Sequence, residues 1–281
     1  MTMSKWALSV IITIAFAGNA SGQSAAVKRG DYLVNTIMTC GNCHTPKGPP
    51  ASVAGKDFSG GLSWDEPPFK VTAPNITPDK ETGVGSYRAA EIRKAVIEGV
   101  RPTGVPLAPI HPASFYGILT QSDGDAVVAY LQTLKPIKNK VPDPIYNMPV
   151  GHHAFPGTEK PASVASLKDK VGLGFYLTAI GHCMECHTPM EKGQLQVDQI
   201  GKGGREFKGP WGVSVSRNIT SHKEKGIGAW SDSEIKSAIT HGKGKDGSAL
   251  KPPMGYDYYA KMTDADLDAI VAYLRTVPAK E

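Results

Sequence analysis

Apolar positions recur at helical spacing in two parallel sets of segments. The first member of each set is residues 28–38, with Tyr32, Leu33 and Ile37, or residues 171–180, with Phe175, Tyr176, Leu177 and Ile180. The second follows a glycine-rich turn. Residues 89–98 have helical composition, and at the corresponding later place Ser231 and Glu234 form a capping-box pattern. In the third, Thr263 stands at an N-cap and Asp264 and Asp266 fall in the first turn, where they suit the positive end of a helix dipole. Leu267, Ile270, Val271 and Leu274 then share one face, and residues 122–134 are the earlier counterpart. The connections between these segments carry glycine and proline without the alternation of a strand. The expected fold class is therefore all-α.

The two sets are copies at a fixed spacing. Cys183 follows Cys40 by 143 residues, and the same offset maps Asn75-Ile76-Thr77 on Asn218-Ile219-Thr220, Glu91-Ile92-Arg93 on Glu234-Ile235-Lys236 and Ala129-Tyr130-Leu131 on Ala272-Tyr273-Leu274. The register breaks once, after His44, where Phe58 and Phe207 stand 149 apart. This predicts one module at residues 23–140 and a second at 166–281. Between them, residues 141–165 hold Pro142, Pro144, Pro149, Pro156 and Pro161, the composition of a semi-rigid linker. His152 and His153, within that linker, have two readings, as stray ligands or, the commoner case, as simply solvated.

The N-terminal residues change where such a protein is expected to work. Lys5 precedes an apolar run from Trp6 to Ala17 broken only by Ser9 and Thr13, and small residues follow as far as Gln23. Residues 1–22 read as a secretory signal peptide, shorter than a usual membrane span, with an uncleaved N-terminal anchor as the alternative, and no later stretch is apolar enough to cross a bilayer. The expected location is the periplasm, with no membrane span after cleavage. The formal charge of +5 is mild, and no basic block is interleaved with aromatics, so nucleic acid is not an expected partner.

The chain contains four cysteines, all placed in Cys40-Gly41-Asn42-Cys43-His44 and Cys183-Met184-Glu185-Cys186-His187. C-x-x-C-H is the attachment signature of c-type haem: the thiols add across the porphyrin vinyl groups and the histidine reaches the iron. Two covalently bound haem c groups are thus expected, tethered by Cys40, Cys43, Cys183 and Cys186, with His44 and His187 as proximal ligands. Two thioredoxin-type disulfides, or one zinc site shared between the pairs, are the alternatives. Met254, in the proline-framed segment Leu250-Lys251-Pro252-Pro253-Met254, is the expected distal ligand of the second haem. The offset of 143 places His111 at the equivalent position, in Leu107-Ala108-Pro109-Ile110-His111-Pro112. A vacant first iron, or Met148 or Met38 upon it, stands beside that assignment. Thioether ligation raises a haem potential relative to imidazole, so the first haem is expected to be the lower of the two.

A helical module closed round a haem between its first and last helices resembles the class I cytochrome c fold, here duplicated. The elements Asn75-Ile76-Thr77-Pro78-Asp79, Gly83-Val84-Gly85 and Pro106-Leu107-Ala108-Pro109, with residues 267–277, resemble those of periplasmic multihaem cytochrome c subunits that serve alcohol, gluconate, aldehyde and molybdenum hydroxylase-type dehydrogenases. Many of those have three haem motifs and a membrane anchor, and a methionine where this chain has His111. The resemblance implies an electron carrier, not an enzyme, with a dehydrogenase as donor and a cytochrome or oxidase as acceptor. A dihaem enzyme such as a peroxidase or thiosulfate dehydrogenase is the competing reading. Asn75 and Asn218 have two readings, as donors to a haem propionate or as turn residues bonded to backbone.

Overall fold

The computed structural model describes residues 19–48, 52–209 and 211–281. The signal segment expected at residues 1–22 lies outside them, apart from the start of the first helix at Asn19. Helix α1 (Asn19–Tyr32) runs into a π-helical turn (Leu33–Ile37) that Met38 closes by donating its N–H to the Leu33 carbonyl at 2.8 Å. Next come α2 (Cys40–His44), α3 (Ala89–Glu98), α4 (Ala113–Tyr116) and α5 (Gln121–Thr133). The C-terminal half repeats the order with α6 (Lys170–Ile180), α7 (Cys183–His187), α8 (Asp232–His241), α9 (Tyr256–Tyr259) and α10 (Asp264–Leu274). Helix starts follow the expected chemistry: Thr120, Ser231 and Thr263 each accept from the backbone N–H three residues on, and Ser231 with Glu234 completes a capping box.

The expectation of an all-α protein is wrong. Among the described residues there are also three small antiparallel sheets. Strand β1 (Ser63–Glu66) pairs with β2 (Phe69–Thr72), which pairs with β3 (Ile145–Tyr146); β4 (Met190–Glu191) pairs with β5 (Gln194–Leu195), and β6 (Glu206–Gly209) with β7 (Gly212–Val215). The strands have at most four residues, too few for alternation to stand out. They form because the connections must satisfy their own backbone groups where no helix can. In β2, Phe69 and Val71 face inward while Lys70 faces out, and with Ala108 they build a small second core.

The proline-rich segment is tied to the N-terminal half. β3 lies within it, Phe155 stacks on Phe115 with ring centroids 4.8 Å apart, and the Thr158 hydroxyl donates to the Ser114 carbonyl at 2.7 Å. His152 is not merely solvated: Nε2 faces the Leu107 carbonyl at 3.1 Å, and Nδ1 is buried without a partner.

In each half the first and last helices cross at glycine. A Cβ on Gly30 would stand 1.9 Å from the Ala126 carbonyl oxygen, and one on Gly174 would stand 1.9 Å from that of Ala269. No side chain fits where backbones approach so closely. These two glycines are 144 residues apart, whereas the cysteines are 143 apart. The N-terminal half therefore holds one extra residue between its crossing and its motif, a second break in the repeat register. The π-helical turn takes it up, since an i→i+5 bond is how a helix absorbs an insertion without ending.

A single main cluster of buried side chains runs through both halves, with Leu33, Ile37, Leu119 and Val127 on one side and Tyr176, Leu177, Ile180 and Ile270 on the other. Reciprocal hydrogen bonds cross between the halves. The Tyr32 hydroxyl donates to Asp266 at 2.5 Å and that of Tyr176 to Asp123 at 2.6 Å. Asp123 also receives both prongs of the Arg29 guanidinium at 2.9 Å. Burial works against the charge on Asp123, but Arg29 and Tyr176 outweigh it and hold the carboxyl below its usual range. Asp123→Ala is expected to destabilise the protein by about 2–4 kcal/mol, because it strands the buried Tyr176 hydroxyl and half-buried Arg29. The sign with pH follows from the lowered value. The contribution of Asp123 is present above the ordinary carboxyl value of 3.8 and disappears as pH falls through the lower folded one, so denaturation midpoints of wild type and variant should converge in acid.

Candidate functional site

Both Cys-x-x-Cys-His segments are single helical turns entered through a left-handed residue, Thr39 with φ 49° and His182 with φ 42°. That sharp entry sets each turn against the end of the long helix before it. All four cysteines are unpaired, and among the described residues no group of three or more His, Cys, Asp or Glu side chains is placed to hold a metal.

The two histidines share one arrangement. His44 Nδ1 lies 2.7 Å from the Pro74 carbonyl and His187 Nδ1 lies 2.6 Å from the Arg217 carbonyl. A carbonyl can only accept, so Nδ1 carries the proton, the ring is fixed, and Nε2 is the nitrogen with a lone pair to give. Burial lowers the pKa of both imidazoles, which favours the neutral, ligating form. Burial pushes the Cys40 thiol up to about 12 and Cys43 to about 11, and does the same to Cys183 and Cys186, both to about 12. These six side chains are only partly covered, and each keeps some accessible surface. Two partly accessible thiols and an oriented imidazole fit a covalently tethered haem.

The expected distal residues each stand just before a short helix. His111 precedes α4 and Met254 precedes α9, and both are half-buried. His111 lies within electrostatic reach of His44, and burial pushes its pKa down to about 3. Its Nε2 faces the Val96 carbonyl at 3.0 Å, and its ring packs edge-on against Tyr116 with centroids 5.8 Å apart. Of the rival methionines, Met38 is buried in the core and Met148 is more than half exposed. The Cys186 thiol lies within electrostatic reach of Cys43, so the two motifs are neighbours.

The two asparagines bond backbone. Asn75 donates to the Ile137 carbonyl at 2.7 Å and accepts from the Thr77 N–H at 2.9 Å; Asn218 donates to the Lys280 carbonyl at 2.7 Å and accepts from the Thr220 N–H at 2.9 Å. Each pins the loop after a histidine motif to the chain beyond the last helix of its half.

Sequence reasoning missed the contacts that residues of one motif make with the other half of the chain. The Asn42 side chain donates to the Pro253 carbonyl at 3.3 Å, and the Tyr258 hydroxyl oxygen stands 2.8 Å from where a Cβ on Gly41 would sit. The middle residues of C-x-x-C-H are free by definition, and nothing in their identity marks them as contacts.

Residues 173–278 match the cytochrome c family model, a domain in which haem c is bound covalently through the motif cysteines. The chain is 31% identical, over 93% of its length, to the fructose dehydrogenase cytochrome subunit of Gluconobacter japonicus, of which it covers 54%. It is 29% identical over 99% of its length to the gluconate 2-dehydrogenase cytochrome c subunit of Pantoea cypripedii, covering 66% of it. It is also 29% identical over 93% of its length to a diheme cytochrome c-type protein of Cereibacter sphaeroides, covering 89% of that protein. The chain thus spans about half to two-thirds of the two dehydrogenase subunits. Over residues 173–278 it is similar to the cytochrome c domain, and over nearly its whole length it resembles the cytochrome c subunits of dehydrogenases.

Proposed function

We propose that this chain is a dihaem electron carrier of the periplasm, made of two cytochrome c-like modules, that accepts electrons from a partner dehydrogenase and passes them to a downstream cytochrome or oxidase. The observation that carries the reading is the repeated set of two free thiols and a histidine whose Nδ1 is fixed by a backbone carbonyl. Haem bound there supplies one-electron exchange at iron. Cys40 and Cys43 tether the first group and Cys183 and Cys186 the second, while His44 and His187 present Nε2. His111 is the distal ligand on the first side, where the Val96 carbonyl engages one ring nitrogen and leaves the other to bind. Met254 is the distal ligand on the second.

This difference orders the sites, since thioether raises a potential relative to imidazole: electrons enter at the first and leave from the second. The neighbouring motifs favour transfer between the two sites within one molecule. The dehydrogenase partner rests on the names of the relatives. Among the described residues no helix is long and apolar enough to cross a membrane.

A redox titration of the purified protein tests the reading. Two separable midpoints are expected, with reduction by a dehydrogenase or a mediator dye and negligible peroxide turnover, because both irons have two protein ligands. Enzyme-like turnover of peroxide, or ready binding of carbon monoxide by the native protein, would favour the dihaem peroxidase reading instead.

A further inference from the structure

We propose that Asn42, in the middle of the first haem motif, is a positioning residue for Met254, so that the N-terminal half holds the distal ligand of the second iron. The proposal rests on Met254 being that ligand.

Met254 lies in an irregular segment between α8 and α9, and its neighbours are fixed from the other half of the chain. Asn42 donates its side-chain amide to the Pro253 carbonyl, one residue before Met254, at 3.3 Å. On the other side, a Cβ on Gly255 would lie 3.5 Å from Thr39 Cγ2, so the backbone after Met254 rests on the left-handed residue that opens the first motif. The Tyr258 hydroxyl sits over Gly41, and the Met254 carbonyl accepts from the Tyr256 N–H at 3.1 Å, which joins the segment to α9. Gly41 and Asn42 of the first motif, with Thr39 before it, thus form a platform for the Met254 segment and the helix that follows it.

The opposite arrangement is absent. Glu185 takes the place of Asn42 in the second motif, 143 residues on. A carboxylate has no hydrogen to give to a backbone carbonyl, and Glu185 turns to its own His182, whose Nδ1 lies 3.0 Å away. The donor is present in the direction that supports a methionine and missing in the direction that would support His111. A thioether is a weak ligand that gains most from a segment held in place, whereas an imidazole is bound more strongly by itself.

The test uses the full chain carrying its haems, with Asn42→Ala and the near-isosteric Asn42→Asp, and Met254→Ala as reference. Attachment is checked first by mass, since the motif tolerates any residue at position 42. Imidazole is the probe. In both Asn42 variants the imidazole concentration that half-displaces the sulfur-to-iron band in the near infrared should fall about two- to tenfold, the range set by one net hydrogen bond. The upper midpoint should fall with it while the lower stays at its wild-type value. Wild-type displacement and an unchanged upper midpoint in both variants would overturn the proposal, and so would equal shifts of both midpoints, which a general loosening would cause. Persistence of the band in Met254→Ala would instead sink the ligand assignment itself, whatever the Asn42 variants do.

Discussion

Met254→Ala is expected to abolish the near-infrared sulfur-to-iron band of the oxidised protein and to lower the upper midpoint potential by on the order of 0.1 V or more, part of the roughly 0.8 V that axial ligands and surroundings span in haem proteins. His111→Ala should leave that band in place and open the first iron to cyanide or carbon monoxide. His111→Met should raise the lower midpoint toward the upper and add a second band. The variants separate the two sites because the residues occupy equivalent places, each just before a one-turn helix, α4 or α9. Two bands in the wild type would mean that a methionine had displaced His111. The positions of Met38 in the core and Met148 on the surface argue against that outcome.

Cys183→Ala combined with Cys186→Ala should cost the protein one haem and unfold the C-terminal half first. Helices α6 and α10 meet at Gly174, but the long connections from residue 188 to 231 are built of short hairpins and turns, with no large core of their own. A porphyrin tethered to Cys183 and Cys186 would supply the missing apolar surface. Its loss should exceed the about 3–5 kcal/mol of deleting one large aromatic core side chain. Limited proteolysis should cut first in residues 188–231, and helical circular dichroism should fall partly, while the wild type resists. Full resistance in the double variant would mean that the half folds without its cofactor.

The helices and the motif chemistry were legible in the sequence because each has a local cause. Thr263 with Asp264 and Asp266 starts a helix by capping, and the adjacency of Cys186 and His187 needs no tertiary context to point at haem. The strands were not legible, because pairs as short as Ile145–Tyr146 are made by their neighbours and by no propensity of their own. Trp64, Phe69 and Val71 carried a faint alternation, interrupted by Pro67 and Pro68. A count from Gly30 to Cys40 against Gly174 to Cys183 would have disclosed the extra residue, but not that a π-helical turn absorbs it. His152 was misread because composition describes a linker's average and says nothing of one ring seated against Gly99. The cross-half contact of Asn42 had no sequence signal.

The most direct test of the central claim is the intact mass of the purified protein under denaturing conditions, where only covalent cofactors stay attached. The expected value is the polypeptide mass plus two haems, falling to one in either cysteine double variant, Cys40→Ala with Cys43→Ala or Cys183→Ala with Cys186→Ala. A mass corresponding to one haem or none in the correctly matured wild type would contradict it.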